Sequence, residues 1–221
     1  MKIAILGGTG KEGQGLALRW AKGGAEVLIG SRERSKAERI ASELTERLGP
    51  SSARTSGQAS ARAFRGFDNR EAAANAEIVV STLPHQGHCE ILEGLRKELE
   101  GKILMVATVV WPPGSTDRPS AAEEAQTVLG DGVRVVAAFQ TVSALALQAL
   151  DQEMHEDVLV CGDDAAACQE SIDCMRRGGL RGIKSGALKH ARIVEAITAL
   201  MLQINKSYGV KSAGIHITGL D

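Results

Sequence analysis

Lys2-Ile3-Ala4-Ile5-Leu6 runs directly into Gly7-Gly8-Thr9-Gly10-Lys11-Glu12-Gly13, and this junction constrains the fold more than any other stretch of the chain. A short apolar run stopped by glycine is a buried strand. The residues after it carry Leu16, Ala17, Trp20 and Ala21 at helical spacing, which predicts an amphipathic helix over Gly10–Lys22 with those four inward. The pattern G-x-G-x-x-G falls at Gly8, Gly10 and Gly13. Between a strand and a helix it predicts a dinucleotide turn. Glycine allows the tight bend and a close backbone approach, so a pyrophosphate can rest on the free amides and positive dipole end of the helix.

The end of the second strand, Glu26–Ile29, selects the dinucleotide. An acidic residue there would accept hydrogen bonds from an unmodified adenosine ribose. The chain instead has Gly30-Ser31-Arg32, with Arg34 and Lys36 close behind. A hydroxyl and cations suit a 2′-phosphate, because charge-assisted contacts to phosphate are strong and an arginine can fork two of them. The expectation is NADP rather than NAD.

Beyond this point strand and helix keep alternating. Helices are expected over about 34–48, from the Asp68-Asn69-Arg70-Glu71 capping pattern, and over 88–98, 120–129, 164–177 and 187–206. Strands are expected at 61–67, 77–82, 103–110, 133–139, 158–161 and 180–184, with loops at 51–60 and 112–119. The rhythm predicts an α/β fold, a doubly wound parallel sheet over residues 1–140 with a second, smaller C-terminal α/β domain over 141–221.

With 221 residues the chain can bury a core without disulfides or metal. Its net charge of −1 and its six aromatics (Trp20, Phe64, Phe67, Trp111, Phe139 and Tyr208) argue against a nucleic-acid partner. Cys89, Cys161, Cys168 and Cys174 form no C-x-x-C pair, so reduced thiols in a cytoplasmic chain are expected. The apolar run at 3–6 is too short for a signal peptide or a membrane span. A short-chain dehydrogenase would need T-G-x-x-x-G-x-G and Tyr-x-x-x-Lys. Thr9-Gly10 reaches Gly13 after two residues, and the sole tyrosine, Tyr208, has its lysine three positions on at Lys211, so both spacings fail.

Five motifs in one order resemble the NADPH-dependent reductases of the deazaflavin coenzyme F420. They are Gly7-Gly8-Thr9-Gly10-x-x-Gly13-x-Gly15-Leu16-Ala17, Gly30-Ser31-Arg32 with Lys36, Thr82-Leu83-Pro84, Cys161-Gly162-Asp163-Asp164, and Arg192-x-Val194-Glu195-x-x-Thr198. The resemblance covers nearly the whole chain. It implies a Rossmann domain carrying NADP, a small C-terminal domain closing over F420, and direct hydride transfer between the two rings. Carried over by position, Thr9, Gly10, Lys11, Glu12, Ser31, Arg32 and Lys36 would hold the phosphates, while Leu83, Val109 and Ala144 would line the nicotinamide side. The chain departs from the family pattern at His85, where an aromatic is usual, at Gln140, where histidine is usual, and at Ser143, a common proline. These positions lie toward the second substrate.

Residues 176–211 hold eight cations (Arg176, Arg177, Arg181, Lys184, Lys189, Arg192, Lys206 and Lys211) against the single acid Glu195, so this stretch is about +7 and the remainder about −8. An anionic acceptor with a phosphate and glutamyl tail would suit it, and so would a solvated or dimer-facing surface. Arg192 and Glu195, three apart, are expected to pair along their helix. Ile193, Val194, Ile197, Leu200, Met201 and Ile204 read as core or as subunit contact, with a homodimer expected. His85, His88 and Cys89 approximate metal spacing without completing a ligand set, and no metal is assigned. Ring alignment, not a side-chain acid or nucleophile, is what hydride passage needs, so no catalytic residue is nominated. The residues leave two alternatives open: an NADPH reductase of a flavin, imine or ferric chelate, and a non-catalytic NADP sensor.

Overall fold

The computed structural model describes residues 1–49 and 63–220. The loop expected at 51–60, and the first two residues of the strand expected at 61–67, lie outside them.

The first half runs β1 (Lys2–Leu6), α1 (Lys11–Lys22), β2 (Glu26–Ser31), α2 (Arg34–Leu48), β3 (Phe64–Asp68), α3 (Asn69–Ala74), β4 (Ile78–Ser81), α4 (His88–Gly94), α5 (Arg96–Leu99) and β5 (Ile103–Val106). The second half continues α6 (Ala121–Leu129), β6 (Arg134–Ala137), α7 (Ala144–Gln148), β7 (Asp157–Gly162), α8 (Ala165–Arg177), β8 (Arg181–Gly186), a 3-10 turn at Leu188–His190, and α9 (Ala191–Tyr208). Eight strands form one sheet in the order β3-β2-β1-β4-β5-β6-β7-β8. Each neighbouring pair is parallel except β6 and β7, which meet antiparallel through Val136 opposite Gly162 and Ala137 opposite Cys161. β7 and β8 then run parallel to each other. The chain after residue 140 therefore adds its strands to the same sheet as the first half.

Alternation of side chains explains the two cores. On β1, Ile3 and Ile5 face one side with Leu16, Ala17, Trp20 and Ala21 of α1, while Ala4 and Leu6 face the other with α3 and α6. Both faces are covered, which is why β1 and β4–β6 are nearly continuous apolar runs. Each fully buried leucine or isoleucine contributes about 1.5–3 kcal/mol. Trp20 meets Phe139 edge-on, centroids 5.9 Å apart, and its Nε1–H donates to the Cys174 carbonyl at 2.9 Å. Among the described residues no helix is long and apolar enough to cross a membrane.

Local differences from the sequence reading have local causes. The helix expected over 88–98 breaks at Leu95 into α4 and α5. The strand expected over 103–110 pairs in the sheet only through Val106. Beyond it the chain turns off, with Thr108 Oγ1 donating to the Leu83 carbonyl at 2.8 Å. Helix α7, absent from the sequence reading, is five residues long and is capped by Ser143, whose hydroxyl accepts the Leu145 N–H. Its carbonyls are tied to α1 by Arg19, which the helical spacing did not place inward: Nε donates to Leu147 O at 3.0 Å and Nη2 to Ala146 O at 2.9 Å.

Candidate functional site

The switch in strand order lies between β2 and β4, on either side of β1, and the crevice beyond the carboxyl ends of those strands is where an open α/β sheet binds ligands. The glycine turn stands there. Gly8 N–H donates to Ile5 O (3.1 Å) and Gly30 O (2.9 Å), and the first intrahelical bond of α1 is Gln14 N–H to Gly10 O at 2.9 Å. The amides of Lys11, Glu12 and Gly13 therefore precede any carbonyl that the helix could offer them. A Cβ on Gly13 would stand 2.7 Å from Gly8 Cα, so the helix can start this close to the strand only with glycine. Gly10 is different: its Cβ would meet nothing nearer than Gly7 O at 3.7 Å, and its backbone is extended (φ −76°, ψ 166°). That glycine leaves open space in front of the helix end, which fits a pyrophosphate cradle.

Two residues outside the sequence reading hold the turn. Asn69, buried at the start of α3, accepts the Gly7 N–H through Oδ1 at 3.3 Å, and Gln14 Nε2 donates to Thr9 O at 2.8 Å. The capping pattern at Asp68 marked the helix start that places Asn69 but not its partner. Glu12 sits half-buried in the first turn of α1, and burial pushes its carboxyl up to about 8. At neutral pH it is largely the uncharged acid.

At the end of β2, buried Ser31 accepts the Glu33 N–H through its hydroxyl at 3.2 Å. Arg34 is committed elsewhere: Nε pairs with Glu38 at 2.9 Å, Nη1 pairs with Glu71 at 2.8 Å, and its guanidinium lies 5.8 Å from the centre of the Phe67 ring. Arg32 and Lys36 are exposed and make no ion pair among the described residues. The three cations thus divide into one structural and two available for an anion. A cavity of about 570 Å³ between α2 and β3, lined by Arg34, Thr45 and Phe67 among others, lies on this flank and away from the glycine turn.

The nicotinamide-side candidates come from two loops and the start of α7. Leu83 is buried against the glycine turn, its Cδ2 3.2 Å from where a Gly7 Cβ would stand. The Thr108 hydroxyl bond to Leu83 O ties that loop to the one carrying Val109, while Ala144 is the first residue of α7. Beside them the chain departs from helix and sheet at Phe139, a non-glycine residue at φ +79°, a conformation of the kind that clusters at functional sites. Gln140 follows, its Nε2 donating to Val106 O at 2.9 Å, and its backbone carbonyl accepts the Thr198 hydroxyl at 2.9 Å.

His85, His88 and Cys89 do not converge as a set of three: His85 Nε2 lies 3.0 Å and Cys89 Sγ 4.0 Å from the same Glu124 Oε2, whereas buried His88 turns its Nε2–H to the Ala121 carbonyl at 3.2 Å. Burial lowers the His88 pKa, and it raises the thiols of Cys89, Cys161, Cys168 and Cys174. Arg192 and Glu195, expected to pair with each other, do not. Arg192 forks Glu123 of α6 with two bonds of 2.7 Å, while the Glu195 carboxylate accepts the backbone N–H groups of Val110 (2.9 Å) and Ala121 (2.8 Å). Arg181 is likewise used, donating to the carbonyls of Ile217 and Leu220 and lying 3.5 Å from Asp157. Of the cationic stretch, Arg177, Lys184, Lys189, Lys206 and Lys211 are exposed and make no ion pair among the described residues.

Residues 2–109 match the family described as NADP oxidoreductase, coenzyme F420-dependent. Over 231 aligned residues the chain is 38% identical to the F420-dependent NADP reductase of Methanocaldococcus jannaschii, all of both chains being covered. It is 39% identical to that of Methanothermobacter thermautotrophicus, with all of this chain and 96% of the relative covered. A crystal structure from Arthrobacter sp. FB24 shares the fold with a TM-score of 0.78 at 24% identity, over 99% of each chain.

Proposed function

The chain belongs to the F420-dependent NADP oxidoreductase family, and from that premise we propose how its own residues serve hydride transfer between NADP(H) and F420. When both are bound, the nicotinamide and deazaflavin rings supply the chemistry, a hydride passing directly from one to the other. The protein's part is to hold and align.

The observation that carries the NADP half is the division of the cations that follow Ser31 at the end of β2: Arg34 is consumed by Glu38 and Glu71, while Arg32 and Lys36 are exposed and make no ion pair among the described residues. Ser31, Arg32 and Lys36 would hold the 2′-phosphate, and Gly8 to Gly13 with their leading amides would hold the pyrophosphate. Leu83, Val109 and Ala144 would line the nicotinamide side. We assign residues 1–140 to NADP and 141–221 to the acceptor side and subunit contact, in a cytoplasmic homodimer. Support for the dimer is one face of α9, where Ile193, Leu200 and Ile204 are 53%, 60% and 38% exposed, a row of aliphatic side chains that a second copy would cover. Leu200→Glu is expected to convert a dimer to monomer in sedimentation equilibrium. An unchanged mass would place the subunit contact elsewhere.

Glu12 gives the cradle a pH dependence. Its acid form puts no charge beside the pyrophosphate. Above its pKa of about 8 the carboxylate opposes the dinucleotide, so NADPH affinity should fall as pH rises past that point, by up to about tenfold per unit. Glu12→Gln should flatten the profile in calorimetric titrations. A wild-type affinity constant across that range would show that Glu12 does not face the phosphates. On the acceptor side, Lys184→Gln with Lys189→Gln should raise the KM for F420 at low salt and lose its effect at high salt, leaving NADPH binding unchanged. The proposal as a whole is tested by mixing the protein with NADPH and a panel of acceptors while following NADPH absorbance. Turnover with F420 is expected. Turnover with flavin or ferric chelate alone, or binding without turnover, would replace this reading.

A further inference from the structure

Between β5 and α6 the chain makes a loop, Trp111–Ser120, whose two ends are held by one side chain far away in sequence. Glu195 of α9 is 4% exposed, and its two carboxylate oxygens are divided between the ends: Oε2 accepts the Val110 N–H at 2.9 Å, and Oε1 accepts the Ala121 N–H at 2.8 Å. Ala121 is the first residue of α6, so its amide is one of the four that a helix cannot satisfy itself. A carboxylate buried this deeply is tolerated because both oxygens take charge-assisted bonds from fixed amides. The surrounding contacts reinforce the clamp. Arg192, one turn earlier on α9, forks Glu123, and Glu123 in turn accepts the Ser120 N–H at 2.8 Å, while Arg118 within the loop donates to the Pro112 carbonyl.

We propose that Glu195 is a positioning residue for hydride transfer: it fixes both ends of the loop that follows Val109 and so sets where the nicotinamide-side wall stands relative to the glycine turn. The proposal rests on the assignment of Val109 to that wall. α9 also fixes the neighbouring loop through the Thr198 bond to Gln140 O, so a single helix registers the β5 and β6 loops against each other. Near-attack alignment of two rings is sensitive to wall displacements of this kind even where affinity is not.

The carboxylate form is the one that accepts two amides. Protonation leaves one amide facing a hydroxyl, and burial pushes the group up to about 7. The other charged groups facing it are Glu124 and Glu123 of α6, His85 of the β4–α4 loop, Arg118 of the loop and Arg192 of α9. The hydride-transfer rate should therefore fall as pH drops through the neutral range, and the loop should loosen in step.

The test compares wild type, Glu195→Gln and Glu195→Asp. In Glu195→Gln one amide N–H meets an NH2 group, which mimics the protonated state. Expected are a single-turnover hydride-transfer rate roughly tenfold lower and independent of pH, an NADPH dissociation constant within about twofold of wild type, and faster hydrogen exchange at the Val110 and Ala121 amides. Glu195→Asp should recover the pH-dependent limb, and His85→Gln should keep it. Trp111 is 67% exposed in the loop while Trp20 is buried, so iodide quenching of the tryptophan signal reports loop mobility without any acceptor. Should Glu195→Gln fail to fold, exchange and quenching across a pH series on the wild-type chain make the same comparison. A folded Glu195→Gln protein with wild-type exchange at those amides, or one whose whole deficit lies in NADPH affinity, would overturn the proposal. Wild-type protein inert toward F420 would instead strike the functional reading, which exchange and quenching do not depend on.

Discussion

Gly10→Val is expected to abolish NADPH binding, a loss of at least about a hundredfold, in a chain that still folds. Both halves of this expectation come from the same geometry. A Cβ at Gly10 would meet only Gly7 O at 3.7 Å and the residue's backbone is extended, so the substitution costs the fold little beyond a poorer N-cap. The space it fills is the approach to the amides of Lys11, Glu12 and Gly13. Gly13→Val makes a useful contrast: with its Cβ 2.7 Å from Gly8 Cα, it should lower thermal stability as well as binding. Circular dichroism and calorimetric titration on the two variants separate the effects. A folded Gly10→Val protein with native affinity for NADPH would show that the turn is not the phosphate cradle.

Arg32→Ala should lower NADPH affinity by one to two decades and leave NADH nearly untouched. A charge-assisted contact of this kind is worth about 1.5–3 kcal/mol, and among the described residues Arg32 makes no ion pair that its removal would break. Arg34→Ala is the internal control, because it breaks the links to Glu38 and Glu71 and should act on stability more than on cofactor choice. Equal losses for both dinucleotides in Arg32→Ala would remove the 2′-phosphate assignment.

Which parts of this molecule could be read from sequence follows from the range of the interactions involved. The strand, turn and helix at Lys2–Lys22 are local patterns, and the structure places them within a residue of expectation. Ser120 and Asp164 cap α6 and α8 where their side chains alone announce a helix start. The sequence could not show that Arg34 is spent, because Glu71 is 37 positions away, nor that Glu195 ignores Arg192 in favour of amides 74 and 85 positions distant. Nor could helical spacing place Arg19 inward, because its partner on α7 lies 128 positions on. The reversal at β7 was equally hidden. Strand-helix alternation has the same period whether a strand joins parallel or antiparallel, and only the pairing of Ala137 with Cys161 decides it. At five residues, α7 is too short to display a period, although its Ser143 cap was there to be seen.

Direct passage of a hydride between two rings that the protein aligns is read by placing deuterium on one face of the NADPH nicotinamide and following it into F420 in ordinary water. The label is expected at the deazaflavin carbon without exchange into solvent, from one face only, while the visible band of oxidised F420 bleaches in step with NADPH loss. Label found in water, label transferred from both faces, or NADPH consumed by free flavin while F420 stays oxidised would contradict direct passage.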